Sequence, residues 1–162
     1  MTLLEIRNKF NLTQAFAASS VDVPLRTYIR YENDNNYGSA LKRESMIKIL
    51  MDKYEITEDK GILSIETIKS ELTSLFENKY KDQIYFCYLF GSYAKGYAKD
   101  NSDVDLFVSS SLTGLRLVGL IESIRITLHK KIDLIRFDTI GNNLELLSEI
   151  MKDGIKIYSK RL

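Results

Sequence analysis

Residues 91–105 read GSYAKGYAKDNSDVD, and their types and spacing point to chemistry more directly than any other part of the chain. A Gly91-Ser92 pair is followed by ten residues and then by Asp103-x-Asp105. The pair comes straight after an apolar run, residues 84–90 (IYFCYLF), which reads as a buried strand. The aspartates open a second apolar run at 104–108. Two carboxylates two residues apart on a strand point to one face. They repel each other unless a cation lies between them. A hard divalent ion such as Mg²⁺ takes oxygen ligands of this kind and shares them with substrate phosphates. Gly91 lets the backbone turn sharply and approach a ligand closely. Residues 93–97 read as a short helix whose free backbone N–H groups would face an anion, with the Ser92 hydroxyl as a further donor. A phosphate cradle beside metal-binding carboxylates is the equipment for nucleotidyl transfer.

The elements that must position these residues alternate along the second part of the chain. The pattern predicts a strand at 83–90, a short helix, a strand at 103–109, a helix at 113–129, a strand at 131–137, a helix at 142–152 and a strand at 155–158. Upstream, Ser64 reads as the cap of a helix carrying Ile65, Ile68, Leu72, Leu75 and Phe76 at helical spacing, a core-packing stripe. Residues 55–61 (EITEDKG) form a charged break and are expected to be a linker. The first part of the chain carries no strand pattern. It predicts four short helices: 2–10 with Thr2 as cap, 12–19, 25–32, and 41–54 with Met46, Ile47, Ile49 and Leu50 on its apolar side. Asp22 suits a left-handed turn position, and Pro24 suits the first turn of the third helix.

Gly91, Ser92, Asp103 and Asp105 match the G-S-x10-D-x-D signature, and here the chain resembles the polymerase-β-like nucleotidyltransferase superfamily. Within it the chain is most similar to the minimal nucleotidyltransferases (MNT), often encoded beside HEPN-domain toxins. The resemblance covers about residues 64–158, including the helix-Gly-strand ending around Gly154. That family requires a third carboxylate on a later strand. Asp133 lies inside the strand-like run 131–137 (KIDLIRF) and fits that place, since an unpaired buried carboxylate is otherwise costly. The resemblance implies two Mg²⁺ ions held by Asp103, Asp105 and Asp133, ATP as the nucleotide, and Gly91 and Ser92 on its phosphates. Lys95 and Lys99 either help neutralise the triphosphate or are solvated loop lysines. It further implies a protein adenylyltransferase that AMPylates a tyrosine of a HEPN toxin carried on a separate chain. The readings kept beside it are nucleotidyl transfer to a small molecule or a tRNA end, and a non-catalytic antitoxin and repressor.

The order of the first four helices resembles the helix-turn-helix domain of XRE-type regulators, with Thr13, Gln14, Ala18, Val23, Thr27, Arg30, Tyr31 and Glu32 at matching places. Asp22 stands where that family usually has a turn glycine, and Pro24 where a Ser or Thr cap is common. In such a domain the third helix enters the major groove, which makes Leu25, Arg26, Thr27 and Arg30 the candidate DNA contacts and Lys42 and Arg43 candidate phosphate contacts. The other reading is a small bundle for protein contacts with these arginines solvated. The expected class is α+β: an all-α helix-turn-helix domain at 1–58, then an α/β polymerase-β-like nucleotidyltransferase domain with a small mixed sheet at 62–162. Operator DNA and a homodimer or a hetero-oligomer with the toxin are the partners this implies.

Composition narrows the classes. The 162 residues are 44% hydrophobic and 28% charged, with a net charge of +1. That is ordinary for a soluble globular protein. Residues 1–60 hold nine basic and nine acidic side chains, and 61–162 hold fourteen and thirteen, so neither part binds polyanions by bulk charge. No apolar stretch is long enough to span a membrane, and the N-terminus lacks a signal-peptide pattern. The single cysteine, Cys87, cannot form an internal disulfide, and a cytoplasmic location is the default expectation. His129 is also single, which argues against a histidine-based zinc site.

Overall fold

In the computed structural model the chain divides into two units, Met1–Glu55 and Ile56–Leu162. Residues 1–160 are described; 161 and 162, the end of the predicted second domain, lie outside the described residues.

The first unit is helical: α1 (Leu3–Lys9), α2 (Gln14–Ser20), α3 (Leu25–Asn33) and α4 (Ala40–Tyr54). Local chemistry sets the helix starts. Thr2 caps α1 in a reciprocal capping box with Glu5, Thr13 caps α2, and Ser39 caps α4. Asp22 takes the left-handed conformation between α2 and α3 at φ 53°. Pro24 stands one place outside α3 as its N-cap, in extended backbone, instead of within the first turn. Leu3, Ile6, Ala17, Ala18, Tyr28, Tyr31, Met46 and Leu50 form the core. Ile49, read as part of the apolar side of the fourth helix, is exposed, as is Leu4 of α1. Glu32 is buried and ion-paired: the Arg7 guanidinium donates to its two oxygens at 2.7 and 3.1 Å, and Gln14 donates at 2.9 Å.

The second unit holds a four-stranded sheet in the order β3-β2-β1-β4, with β1 (Ile84–Phe90), β2 (Val104–Ser110), β3 (Ile132–Arg136) and β4 (Ile155–Ser159). β1 runs antiparallel to β2 and β4, whereas β2 and β3 are parallel. The parallel pair needs a crossover, which α7 (Gly114–Leu128) supplies. This is the small mixed sheet that the sequence predicts, and the chain as a whole is α+β. Alternation along the strands sorts the side chains between two faces. Cys87, Leu89, Leu106 and Val108 pack with Ile68, Leu72 and Phe76 of α5 (Ile65–Lys79) and with Leu120 and Ile124 of α7. On the other face Phe90 and Phe107 pack with Ile150 and Leu146 of α8 (Leu144–Asp153). Asp105 precedes Phe107 by two and so shares the face that α8 covers.

Two segments differ from expectation. The short helix α6 spans Gly91–Lys95, not 93–97, because the buried Tyr93 anchors it early and Gly96 ends it in the left-handed conformation at φ 78°. All but Glu55 of the segment read as a linker belongs to the second unit: Ile56 packs against the sheet core, Thr57 and Lys60 form an isolated bridge, and the ammonium of Lys130 holds backbone carbonyls of the segment. Among the described residues no helix is long and apolar enough to cross a membrane.

Candidate active site

The strand register brings two of the sequence-predicted carboxylates together. Asp105 of β2 lies directly opposite Asp133 of β3. On its other side Asp105 pairs with Phe90, the last residue of β1. The chain turns into α6 one residue later, which places Gly91 against the Asp105 side chain. A Cβ on Gly91 would stand 2.1 Å from Asp105 Oδ2, and Gly91 has φ 67°. Both facts demand glycine here. Asp103 lies one residue before β2 and is exposed, so strand alternation orients Asp105 and Asp133 but not Asp103.

Electrostatics mark Asp105 out. It is half-buried, and its pKa is pushed up to about 6. Burial is the largest cause, followed by the like charges of Asp133, Asp103 and Glu149; the Ser92 backbone N–H, which hydrogen-bonds the carboxylate, pulls the other way. The side chains are not drawn into a closed ligand set. Among the described residues no three of His, Cys, Asp or Glu are gathered tightly enough to hold a metal ion. The donor set nevertheless fits a hard divalent cation: it is oxygen-only, and its members oppose one another's ionisation.

The helix α8 contributes a residue that sequence reasoning missed. Glu149 Oε1 lies 2.6 Å from Lys95 Nζ, and this bond raises the lysine's pKa. Lys95, predicted to face a triphosphate, is thus ion-paired across to α8. Glu149 is one of four glutamates and aspartates after Asp133, and only the burial of its neighbour Ile150 hints that it sits near the sheet. Lys99 is exposed, and its backbone N–H donates to Ser102 Oγ at 2.8 Å.

The candidate DNA contacts lie along α3 in the first unit. Leu25, Arg26 and Arg30 are exposed, Thr27 is half-buried, and Leu25, Arg26, Ile29 and Arg30 line one shallow groove. The Arg30 guanidinium sits over the Tyr37 ring, 5.6 Å from its centroid. Lys42 is exposed. Arg43 is not: it donates to the carbonyls of Asp34 and Tyr37 at 2.9 and 2.8 Å, closing the loop between α3 and α4.

Residues 70–161, more than half of the sequence, match the family described as polymerase beta, nucleotidyltransferase. The chain belongs to the polymerase beta nucleotidyltransferase family. The match runs from within α5 through β4 and leaves the first unit outside it. No curated protein matches the chain. Among solved structures, the nucleotidyltransferase resembles a toxin–antitoxin with AMP-PNP, at 21% identity over 57% of this chain and 74% of that one, with a TM-score of 0.49. It also resembles the structure of a tri-AMPylated Shewanella oneidensis HEPN toxin in complex with MNT antitoxin, at 18% identity over 59% and 72%, with a TM-score of 0.45.

Proposed function

We propose that the chain is a magnesium-dependent nucleotidyltransferase that transfers AMP from ATP to a tyrosine hydroxyl of a HEPN toxin, acting as its antitoxin. The observation that carries the reading is the in-register pair Asp105 and Asp133, with Asp105 seated against Gly91 at the end of β1. Family membership supports the reaction class, and the resemblance to the minimal nucleotidyltransferases supports the acceptor. Asp103, Asp105 and Asp133 would hold the Mg²⁺ ions, which when bound lower the pKa of the acceptor hydroxyl and offset charge on the departing pyrophosphate.

The chain's own residues do the positioning. The Gly91-Ser92 turn offers backbone N–H groups and a hydroxyl to the phosphates, with no side chain in the way at Gly91. Lys95 leaves Glu149 for the triphosphate, exchanging one anionic partner for another. The acceptor oxygen attacks the α-phosphorus, the bond to pyrophosphate breaks, and Asp133, exposed to solvent, takes the hydroxyl proton. Most of the rate then comes from alignment and charge stabilisation. The helical unit would bind operator DNA through Leu25, Arg26, Thr27 and Arg30 on α3.

The test is pyrophosphate release from ATP with Mg²⁺ and the toxin, alongside mass spectrometry of the toxin's tyrosines. The reading expects stoichiometric adenylylation that Asp133→Asn abolishes. Toxin neutralisation without any adduct, unaffected by that change, would favour a non-catalytic antitoxin and repressor.

A further inference from the structure

Lys130 is fully buried, at 0% exposure. Among the described residues its ammonium meets no carboxylate within ion-pair distance. Instead it donates to three backbone carbonyls: Asp100 at 2.5 Å, Lys60 at 3.2 Å and Glu58 at 3.4 Å. An ammonium has three donors, so the group is fully used. Burial pushes its pKa down, and the nearby Asp100 and Asp59 charges offset part of that effect. A buried lysine is costly unless it is satisfied in this way. The chain also accepts His129 in the left-handed conformation, φ 53°, immediately before it. A non-glycine residue there is strained by roughly 1–2 kcal/mol.

The arrangement has a consequence for the active site. Asp100 lies three residues before Asp103, and Lys130 lies three residues before Asp133. Between them Val104 donates its N–H to the carbonyl of Lys131 at 2.9 Å, the first rung joining β2 to β3. The ammonium therefore ties the approach to Asp103 to the approach to Asp133. It also anchors both to residues 58–60, which among the described residues have no other strand partner than the Thr57–Lys60 bridge. Asp103 stands outside β2, and the sheet ladder does not fix it.

We propose that Lys130 is a positioning residue for the metal-binding carboxylates: it holds the loop that carries Asp103 in place relative to Asp133. The proposal rests on the reading of these aspartates as metal ligands. Groups that orient ligands from behind typically change metal affinity by about 10–100-fold when removed. Lys130→Met, of similar length and without donors, is expected to weaken Mn²⁺ binding about tenfold, read by electron paramagnetic resonance on the full chain. The KM for ATP is expected to stay within about twofold, because Gly91, Ser92 and Lys95 do not touch Lys130, while kcat falls.

A purely structural role predicts something else. Leu120→Ala, in the buried core and outside the site, is expected to lower Tm while leaving Mn²⁺ affinity unchanged at temperatures where it is folded. Lys130→Met that lowers Tm but binds Mn²⁺ like the wild type would overturn the proposal. Should Lys130→Met not fold, Lys130→Arg carries the test: its larger, planar guanidinium does not fit the point where the three carbonyls converge on a compact ammonium, so Mn²⁺ binding falls, and unchanged binding refutes the idea. Wild-type protein that binds no Mn²⁺, indistinguishable from Asp103→Asn, would remove the metal reading and this proposal with it.

Discussion

Asp105→Asn should make the metal-free protein more stable at neutral pH, although it removes a central residue of the site. The unfolded aspartate ionises near 3.8, whereas folded Asp105 ionises only near about 6. Between those values the native state binds more protons than the unfolded state, so stability falls as pH rises through this window and stays lower above it. A shift of about two units corresponds to an upper bound of about 3 kcal/mol. Water reaches this half-buried carboxylate, which reduces the effect to about 1–2 kcal/mol. For a unit of this size that is roughly 3–8 °C in Tm. Asparagine keeps an oxygen that can accept from the Ser92 N–H and sheds the charge that Asp133, Asp103 and Glu149 oppose. Thermal melts in a chelator from pH 3.5 to 8 would show the variant above the wild type at pH 7.5 and level with it below pH 4. Added Mg²⁺ would raise the wild type and leave the variant where it is. A variant no more stable than wild type at pH 7.5, or a gain independent of pH, would refute the reasoning.

Gly91→Ala should lower activity at least 100-fold and destabilise the second unit by about 2–4 kcal/mol, because its Cβ would overlap Asp105 Oδ2 at a positive φ; denaturant melts and label transfer measure both. Arg7→Met should cost the first unit about 3 kcal/mol in urea unfolding by leaving buried Glu32 without its main partner. Burial tends to raise the Glu32 pKa, but the bonds from Arg7 and Gln14 win and lower it, so the pair's contribution is present above the unfolded carboxylate value and is lost as pH falls through the folded one. Arg26→Ala and Arg30→Ala should each weaken operator binding by about 1–3 kcal/mol in fluorescence anisotropy if α3 reads base edges, and equal loss on unrelated DNA would reduce them to phosphate contacts.

The order of helices and strands was legible because each element carries its own signal. Thr2 and Ser64 cap helices where side-chain oxygens can reach backbone N–H groups, and the runs 84–90 and 104–108 are too apolar for loops. The carboxylates and the glycine were legible as types at a spacing. Contacts between distant residues were not. Nothing local shows that Gly91 lies under Asp105, that Glu149 reaches Lys95, or that Arg43 closes its own loop. The charged run at 55–61 looked like a linker because its partner, the ammonium of Lys130, enters from 70 residues downstream of Lys60. Helix α6 began early for a similar reason: Tyr93 is buried by tertiary packing, which periodicity over five residues cannot reveal.

Incubating the chain and the HEPN toxin with ATP labelled at the α-phosphate, and in parallel at the γ-phosphate, tests the central claim most directly. The account predicts that the toxin takes up α-label only, that uptake requires Mg²⁺, and that it is lost in the Asp103→Ala/Asp105→Ala double variant. γ-label on the toxin, or α-label that survives the double variant, would contradict it.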